Sequence, residues 1–442
     1  MNKILLPSFL LGLLLGVPGA SAQNPVIRNQ FSADPTARVF GDRVYLFPSH
    51  DIISPVEPER RWFSMADYHV FSSADLTDWT DHGVIVSQED VPWGKPDAYS
   101  MWAPDCVEKN GKYYFYFPDA VKEGFGFAVG VAVADRPEGP YTPEKHPIEG
   151  VYGIDPVVLQ CSDGSACLIW AGMGLRGARL SDDMLSLEGE PVRLDEGLPE
   201  GFKEGPFAFE KDGRYYLTYP WVRDKTETLA YAMSDSPLGP YTFKGLIMEQ
   251  SPVSCWTNHH SLVEFKGQWY LFYHHNDYSP DFDKNRSVRI DKITFNEDGT
   301  ILPVTPTLRG VGNTPATSLI QVDRYSQLYP VGTGLEFLDP SDTFQGWYVI
   351  LSRPGTWVRY NSVDFGEAPL SAVCARVRSP KGGSLRIFIP GDDETDIATL
   401  ALPASSDWTT VESAGITPPQ NLQDIMVQVK EGSADIDWIS FK

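Results

Sequence analysis

One unit recurs five times between residues 30 and 310, and every copy carries a tight glycine turn. The turns are Gly41-Asp42, Asn110-Gly111, Asp163-Gly164, Asp212-Gly213 and Lys266-Gly267. From Gly41 to Gly111, Gly164, Gly213 and Gly267 the steps are 70, 53, 49 and 54 residues. An apolar stretch precedes each turn, and segments 43–47, 112–116, 214–218 and 268–272 follow as β-branched and aromatic runs. That is the pattern of a hairpin. Third segments echo one another as well: Ala132-Val133-Ala134-Asp135 leads to Gly139-Pro140-Tyr141, and Ala232-Met233-Ser234-Asp235 leads to Gly239-Pro240-Tyr241. A unit of this size cannot bury its apolar face alone, so copies must stack. The spacing predicts a five-bladed β-propeller over residues 23–328.

Beyond residue 328 the repeat stops. Residues 329–442 hold about seven short alternating segments, which predict a β-sandwich of the jelly-roll kind, with 321–329 as the link. The expected fold is therefore all-β. At the other end, Lys3, the apolar stretch 4–17 and Ala20-Ser21-Ala22 form a signal peptide over residues 1–22. It predicts a secreted or periplasmic protein. The apolar run is too short to span a bilayer, and no other approaches that length.

Charge narrows the partner. With 59 acidic against 36 basic residues, the formal charge of −23 repels nucleic acid. Twelve Trp, 20 Tyr and 23 Phe on that acidic background suit a neutral oligosaccharide or polysaccharide. Five cysteines are few for an exported chain. Cys161 and Cys167 flank a turn, where a hairpin disulfide and two buried thiols both fit. No Cys-x-x-Cys or paired-histidine spacing marks a zinc site, so no metal ligand is expected from motifs.

The repeat makes the odd residues legible. Its anchors align as Ala33-Asp34-Pro35, Ala103-Pro104-Asp105, Ile154-Asp155-Pro156, Glu204-Gly205-Pro206 and Asn258-His259-His260-Ser261. First strands of propeller blades line the central channel, so these anchors converge at one end of it. Taken singly, an Asp-Pro is a common turn starter. Taken together, Asp34, Asp155 and Glu204 place three carboxyls around one concavity. Two or three such groups amid aromatics fit glycoside hydrolysis, in which a protonated acid serves the leaving oxygen and an ionised one activates water or attacks the sugar. That chemistry requires no cofactor.

The Ala-Asp-Pro, Ile-Asp-Pro and Glu-Gly-Pro-Phe anchors, with the stretch from His259 to Gly267, resemble glycoside hydrolase family 43 over about residues 25–310. The resemblance implies that Asp34 is the general base and Glu204 the general acid, with Asp155 orienting Glu204 and holding its pKa up. It also implies inversion at the anomeric carbon. Trp102 matches a sugar-stacking position, against the alternative of a blade-core tryptophan. Arg286 resembles an arginine that binds sugar hydroxyls, with Arg289 as the alternative. His259 aligns with a channel-facing histidine that touches an axial cation or water, or satisfies polar groups of the blade; His260 faces the blade, and His274 and His275 read as structural.

In the C-terminal unit, Gly355-Thr356-Trp357-Val358-Arg359-Tyr360, Gly382-Gly383-Ser384-Leu385 and the closing segment 435–441 resemble a family 6 carbohydrate-binding module. Gly334-Leu335-Glu336-Phe337 lacks the Ala-Glu opening usual in that family. The resemblance brings with it a structural calcium ion, and the competing reading is a brace packed on the propeller. The expected activity is that of an exo-acting α-L-arabinofuranosidase of plant-type glycans. β-Xylosidase and galactofuranosidase are the same-fold alternatives, and a non-catalytic glycan-binding propeller is the alternative of another class. Insertions at 50–62 and 93–101 are expected to wall the channel into a pocket.

Overall fold

The turn glycines set the hairpins. Lys109 pairs with Lys112 across Asn110-Gly111, Lys211 with Arg214 across Asp212-Gly213, and Phe265 with Gln268 across Lys266-Gly267. All six central residues have φ between 52° and 78°, the left-handed pair that a two-residue turn needs to match strand twist. This computed structural model describes residues 23–442 apart from 252–254, 368 and 392. The expected signal peptide, 1–22, lies outside the described residues.

Each repeat folds into its own antiparallel meander. Sheets 1 to 4 have four strands each and sheet 5 has three, always in chain order. Their first strands are Ala33–Phe40, Asp105–Lys109, Ile154–Gln160, Phe207–Lys211 and His260–Phe265. These touch in cyclic order, the first with the second and so on until the fifth returns to the first. Apolar cores follow the same circle. Phe47, Phe115 and Tyr141 are buried between sheets 1 and 2, Val107, Leu168 and Trp170 between 2 and 3. Leu217, Tyr231 and Leu271 join sheets 4 and 5, and Leu46, Phe272 and Ile290 join 5 back to 1. The repeated Gly-Pro-Tyr motifs play one role twice: Tyr141 donates to the Pro137 carbonyl at 2.9 Å and Tyr241 to that of Pro237 at 2.8 Å.

The N-terminal segment stitches sheet 5 to sheet 1. Val26 N–H donates to the Val288 carbonyl and Ser32 N–H to that of Arg286, both at 2.9 Å. Asn24 bonds Ile290 in both directions through its side-chain amide. Because Asp34 sits two residues after Ser32, this seam fixes Asp34 beside Arg286.

The C-terminal unit is built of two six-stranded sheets enclosing one core, in which Val349, Val373 and Ile436 of one sheet meet Val358, Leu385 and Val427 of the other. Short strands at Thr314–Pro315, Ile320–Gln321 and Gln327–Leu328 already pair into these sheets. The stretch read as a link is thus part of the second unit's hydrogen-bonded framework. The two units meet through Tyr278 stacked on Trp347 at 5.4 Å and through Arg324, which donates to the Asn24 carbonyl at 2.6 Å. All five cysteines are buried free thiols, with those of Cys161 and Cys167 in hydrogen-bonding contact.

Candidate active site

The acids are presented by backbone that most residues avoid. Asp34 (φ 44°) and Asp155 (φ 54°) both take the left-handed conformation immediately before a proline, and Gly205 (φ 69°) takes it in the third anchor. Aspartate tolerates that region better than most side chains. The structural alignment is therefore Asp34–Asp155–Gly205, and Glu204 sits one position earlier. The reason is steric: a Cβ on Gly205 would stand 2.8 Å from Pro220 Cγ, so this anchor cannot carry its acid where the other two do.

All six residues singled out from the sequence, Asp34, Trp102, Asp155, Glu204, His259 and Arg286, line one cavity of about 230 Å³. Trp62, Phe63 and Trp256 complete its aromatic wall, so the 50–62 insertion does reach the pocket. A larger cleft, about 1270 Å³, lies at the junction of the two units among Asp75, Lys292, Arg309 and Asn361. It holds none of the three acids, and the smaller cavity is the chemical site.

Arg286 organises one side of it. Only 2 % exposed, its guanidinium donates to Asp34 Oδ1 at 2.6 Å and Oδ2 at 3.1 Å, and to Asp51 Oδ1 and Oδ2 at 2.8 Å each. It also lies 5.0 Å from the Phe63 ring centroid. Arg286 therefore spends its planar fork on two carboxylates, a bidentate geometry that lysine could not reproduce. This differs from the sugar-hydroxyl role expected for it; Arg289, its alternative, is paired with Asp277 away from the cavity.

Burial, the largest influence, pushes the Asp34 carboxyl up, but Arg286, with lesser contributions from His259, His274 and the Ser49 hydroxyl, outweighs it and brings the group down to about 2. His259 and His274 stand 3.7 Å from Asp34 Oδ1. Burial lowers His259 to about 4 and takes His274 well below its usual range. Both are neutral at ordinary pH, so Arg286 supplies the charge that keeps Asp34 ionised. His274 has a different use: its Nδ1 accepts the Asp34 backbone N–H at 3.0 Å, while its Nε2 meets Thr257 Oγ1 at 3.0 Å. The expected structural histidine thus locks the strained backbone of Asp34. His260 turns into the sheets rather than the cavity, with Nε2 2.6 Å from Thr218 Oγ1.

The opposite side is kept proton-rich. Burial raises Glu204, with Asp34 adding repulsion that Arg286 and Lys203 only partly offset. Asp155 is raised well above its usual range by burial and then by Glu204 and Asp34. Its Oδ2 accepts the Gly205 N–H at 2.7 Å, so Asp155 grips the backbone that carries Glu204. The two carboxyls repel each other and titrate as a pair. Trp102 is half-buried, stacks on Phe127 at 4.6 Å and still presents itself to the cavity.

Sequence reasoning missed Asp51 and Glu227. Asp51 lies in the 50–62 insertion, where no repeat comparison reaches. Glu227 had a signal: it opens Glu227–Ser234 where the equivalent strand, Phe127–Ala134, opens with phenylalanine. Glu227 is 1 % exposed, accepts the Asn258 N–H at 2.8 Å through Oε2, and has no partner for Oε1 among the described residues. Burial, then Glu204, pushes it up to about 8. A folded pKa above the unfolded value, about 4.3, means stability is full below the unfolded pKa and is lost as pH rises through 8. Glu227→Gln should therefore match the wild type in thermal melts near pH 4 and exceed it at pH 9 by a few kcal/mol, roughly. An equal melting difference at both pH values would contradict a neutral Glu227.

Comparison with known proteins aligns residues 22–301 with the glycosyl hydrolases family 43 and residues 332–442 with carbohydrate binding module (family 6). A xylosidase/arabinosidase of Humicola insolens is 38 % identical over 333 residues, 64 % of this chain and 99 % of its own length. An arabinoxylan arabinofuranohydrolase of Paenibacillus polymyxa is 28 % identical over 465 residues, 90 % of this chain and 70 % of its own. A solved β-xylosidase/α-arabinofuranosidase from a compost microbial metagenome, in complex with xylotriose, superimposes with a TM-score of 0.59. It is 37 % identical and covers 65 % of this chain and 98 % of its own.

Proposed function

Because the chain belongs to the glycosyl hydrolases of family 43 and ends in a family 6 carbohydrate-binding module, we propose that it releases terminal α-L-arabinofuranosyl residues from plant-type glycans. Its five sheets are read as the blades of a propeller, from the cyclic contact of their first strands, and its second unit as a jelly-roll sandwich. The observation that carries the catalytic reading is the contrast across one cavity. Asp34 is held at about 2 by Arg286, while Glu204 and Asp155 are raised by burial and repulsion. Environments that push carboxyl pKa values apart assign the base and the acid.

In the proposed reaction Glu204 gives its proton to the glycosidic oxygen as the bond to the anomeric carbon breaks. Water attacks that carbon from the opposite face and passes its proton to Asp34, which inverts the configuration. Asp155 positions Glu204 through the Gly205 N–H. Arg286 holds Asp34 ionised and aimed. Trp102, with Trp62 and Phe63, supplies apolar faces for a neutral sugar, and the small walled cavity supports exo action on a chain end. Neither carboxyl role calls for a cofactor. A calcium ion would be structural and would take oxygen ligands. The export signal in residues 1–22 supports action outside the cytoplasm.

β-Xylosidase is the second reading. It is favoured by the similar Humicola insolens and compost-metagenome proteins, whose names pair xylosidase with arabinosidase activity. Hydrolysis of aryl α-L-arabinofuranoside, β-D-xyloside and β-D-galactofuranoside, with the first-formed anomer followed by NMR, tests both readings. Fastest turnover of the arabinofuranoside with an inverted product is expected. A xyloside preference of tenfold or more would select the second reading, and a retained anomer would overturn the mechanism.

A further inference from the structure

Two histidines and an aspartate outside the catalytic cavity converge at the neck of the loop spanning residues 51–64. His50 follows the strand Arg43–Ser49 on one leg of the loop, while Asp67 and His69 share a face of the strand Asp67–Ser73 on the other. Ile52 N–H donates to the Ser64 carbonyl at 2.9 Å just above them. His50 Nδ1 stands 2.7 Å from Asp67 Oδ1, His69 Nε2 stands 3.9 Å from the same oxygen, and the three donor atoms lie within 4.8 Å of one another. Their side chains are 21 %, 22 % and 15 % exposed, open enough for an ion to enter with water.

The second nitrogen of His69 is already placed for this use. Its Nδ1 is 3.0 Å from Asp81 Oδ1, and that oxygen is itself fixed by the Gly83 N–H at 2.7 Å. With the Nδ1–H given to Asp81, Nε2 keeps its lone pair toward Asp67, which is the carboxylate–histidine relay that orients metal-binding imidazoles. The His69 ring also stacks on Phe71 at 5.9 Å, limiting its rotation. Donors about 2.0–2.1 Å from a tetrahedral zinc ion stand roughly 3.3–3.4 Å apart. The observed 2.7 and 3.9 Å bracket that value, so side-chain adjustment alone closes the shell. A hydrogen bond between His50 and Asp67 would not by itself require the third donor.

We propose that His50, Asp67 and His69 bind a divalent transition-metal ion of the zinc class, completed by water. Two imidazoles with one carboxylate suit such an ion better than calcium. The ion would clip the two legs of the loop that carries Trp62 and Phe63 to the cavity, where Phe63 packs against Arg286 and Trp102. Occupancy then stabilises the folded chain by mass action.

The full chain, stripped with EDTA and dialysed, is titrated with zinc chloride by calorimetry and followed by thermal melting. The expected result is one saturable site and a rise in Tm. His50→Gln and His69→Gln each weaken binding at least tenfold, and Asp81→Asn weakens it about tenfold through His69. Melting in EDTA shows whether each variant is folded before zinc is added. Trypsin cleavage after the exposed Arg61 should slow on zinc addition in the wild type and not in His69→Gln. Absence of saturable binding, or equal binding in the wild type and both histidine variants, overturns the site. Binding without protection at Arg61 overturns the clip.

Discussion

Asp34→Asn should lower kcat on an aryl α-L-arabinofuranoside by about 10²- to 10⁴-fold, the range of a lost general base, while oligosaccharide binding survives. The carboxamide keeps the shape of the side chain but cannot take the proton of the attacking water. Arg286 retains Asp51 as a partner at 2.8 Å, so the variant does not strand a buried cation. It does lose a favourable pairing. With a folded pKa of about 2 against about 3.9 unfolded, the wild-type carboxylate contributes roughly 2–3 kcal/mol at neutral pH. The sign follows from the depressed pKa: this stability is present above pH 4 and is lost as pH falls toward 2. The variant should therefore melt lower than the wild type at pH 7 and approach it below pH 3. Turnover within tenfold of wild type would remove Asp34 from the base role and revive the reading of a glycan-binding propeller without catalysis.

How far the site was legible depends on how local its causes are. The hairpins were readable because two-residue turns demand left-handed residues, and Asn-Gly, Asp-Gly and Lys-Gly announce them. The three acids were readable because the repeat singles out unusual anchors. Their alignment slipped by one at Glu204, since the steric demand on Gly205 comes from Pro220 fifteen residues away in sequence. The full duty of Arg286 was not readable. It follows from Asp34 and Asp51, which lie 252 and 235 residues distant and reach it only through the seam between sheets 1 and 5. His274, read as structural, has a specific duty that the sequence does not spell out: its contact is to the backbone of Asp34, and backbone conformation has no letter in the sequence.

That seam also explains the division of labour in the cavity. One guanidinium lies between Asp34 and Asp51 and hydrogen-bonds both, whereas Arg286 and Lys203 only partly offset the rise of Glu204. The five acids in this neighbourhood, Asp34, Asp51, Asp155, Glu204 and Glu227, cannot all be ionised in a space this dry. Arg286 favours the ionised form of its two partners, Asp34 and Asp51, while burial and repulsion raise Asp155, Glu204 and Glu227. In the proposed roles, the raised pKa of the acid therefore comes partly from the ionised base that Arg286 holds.

Glu204→Ala should separate substrates by their leaving groups. On an oligosaccharide the departing oxygen is a poor leaving group and needs Glu204's proton, so kcat/KM should fall by about 10³-fold or more. On an aryl glycoside with an acidic phenol, departure needs little protonation, and the loss should be at least ten times smaller. The pH profile supplies a second readout. In the wild type, kcat/KM on the oligosaccharide should fall on the alkaline side as the raised Glu204–Asp155 pair loses its proton, a macroscopic titration of the pair. Toward acid it should hold level to about pH 3, because Asp34 stays ionised down to about 2. In Glu204→Ala the alkaline limb should vanish for the aryl substrate, leaving only the acid limb of Asp34. Asp155→Asn offers the contrast: Glu204 remains, but its grip on the Gly205 N–H weakens, so the alkaline limb should shift rather than disappear. If Glu204→Ala cost both substrates equally and kept the alkaline limb, the proton donor would have to be sought at Asp155 or Glu227 instead.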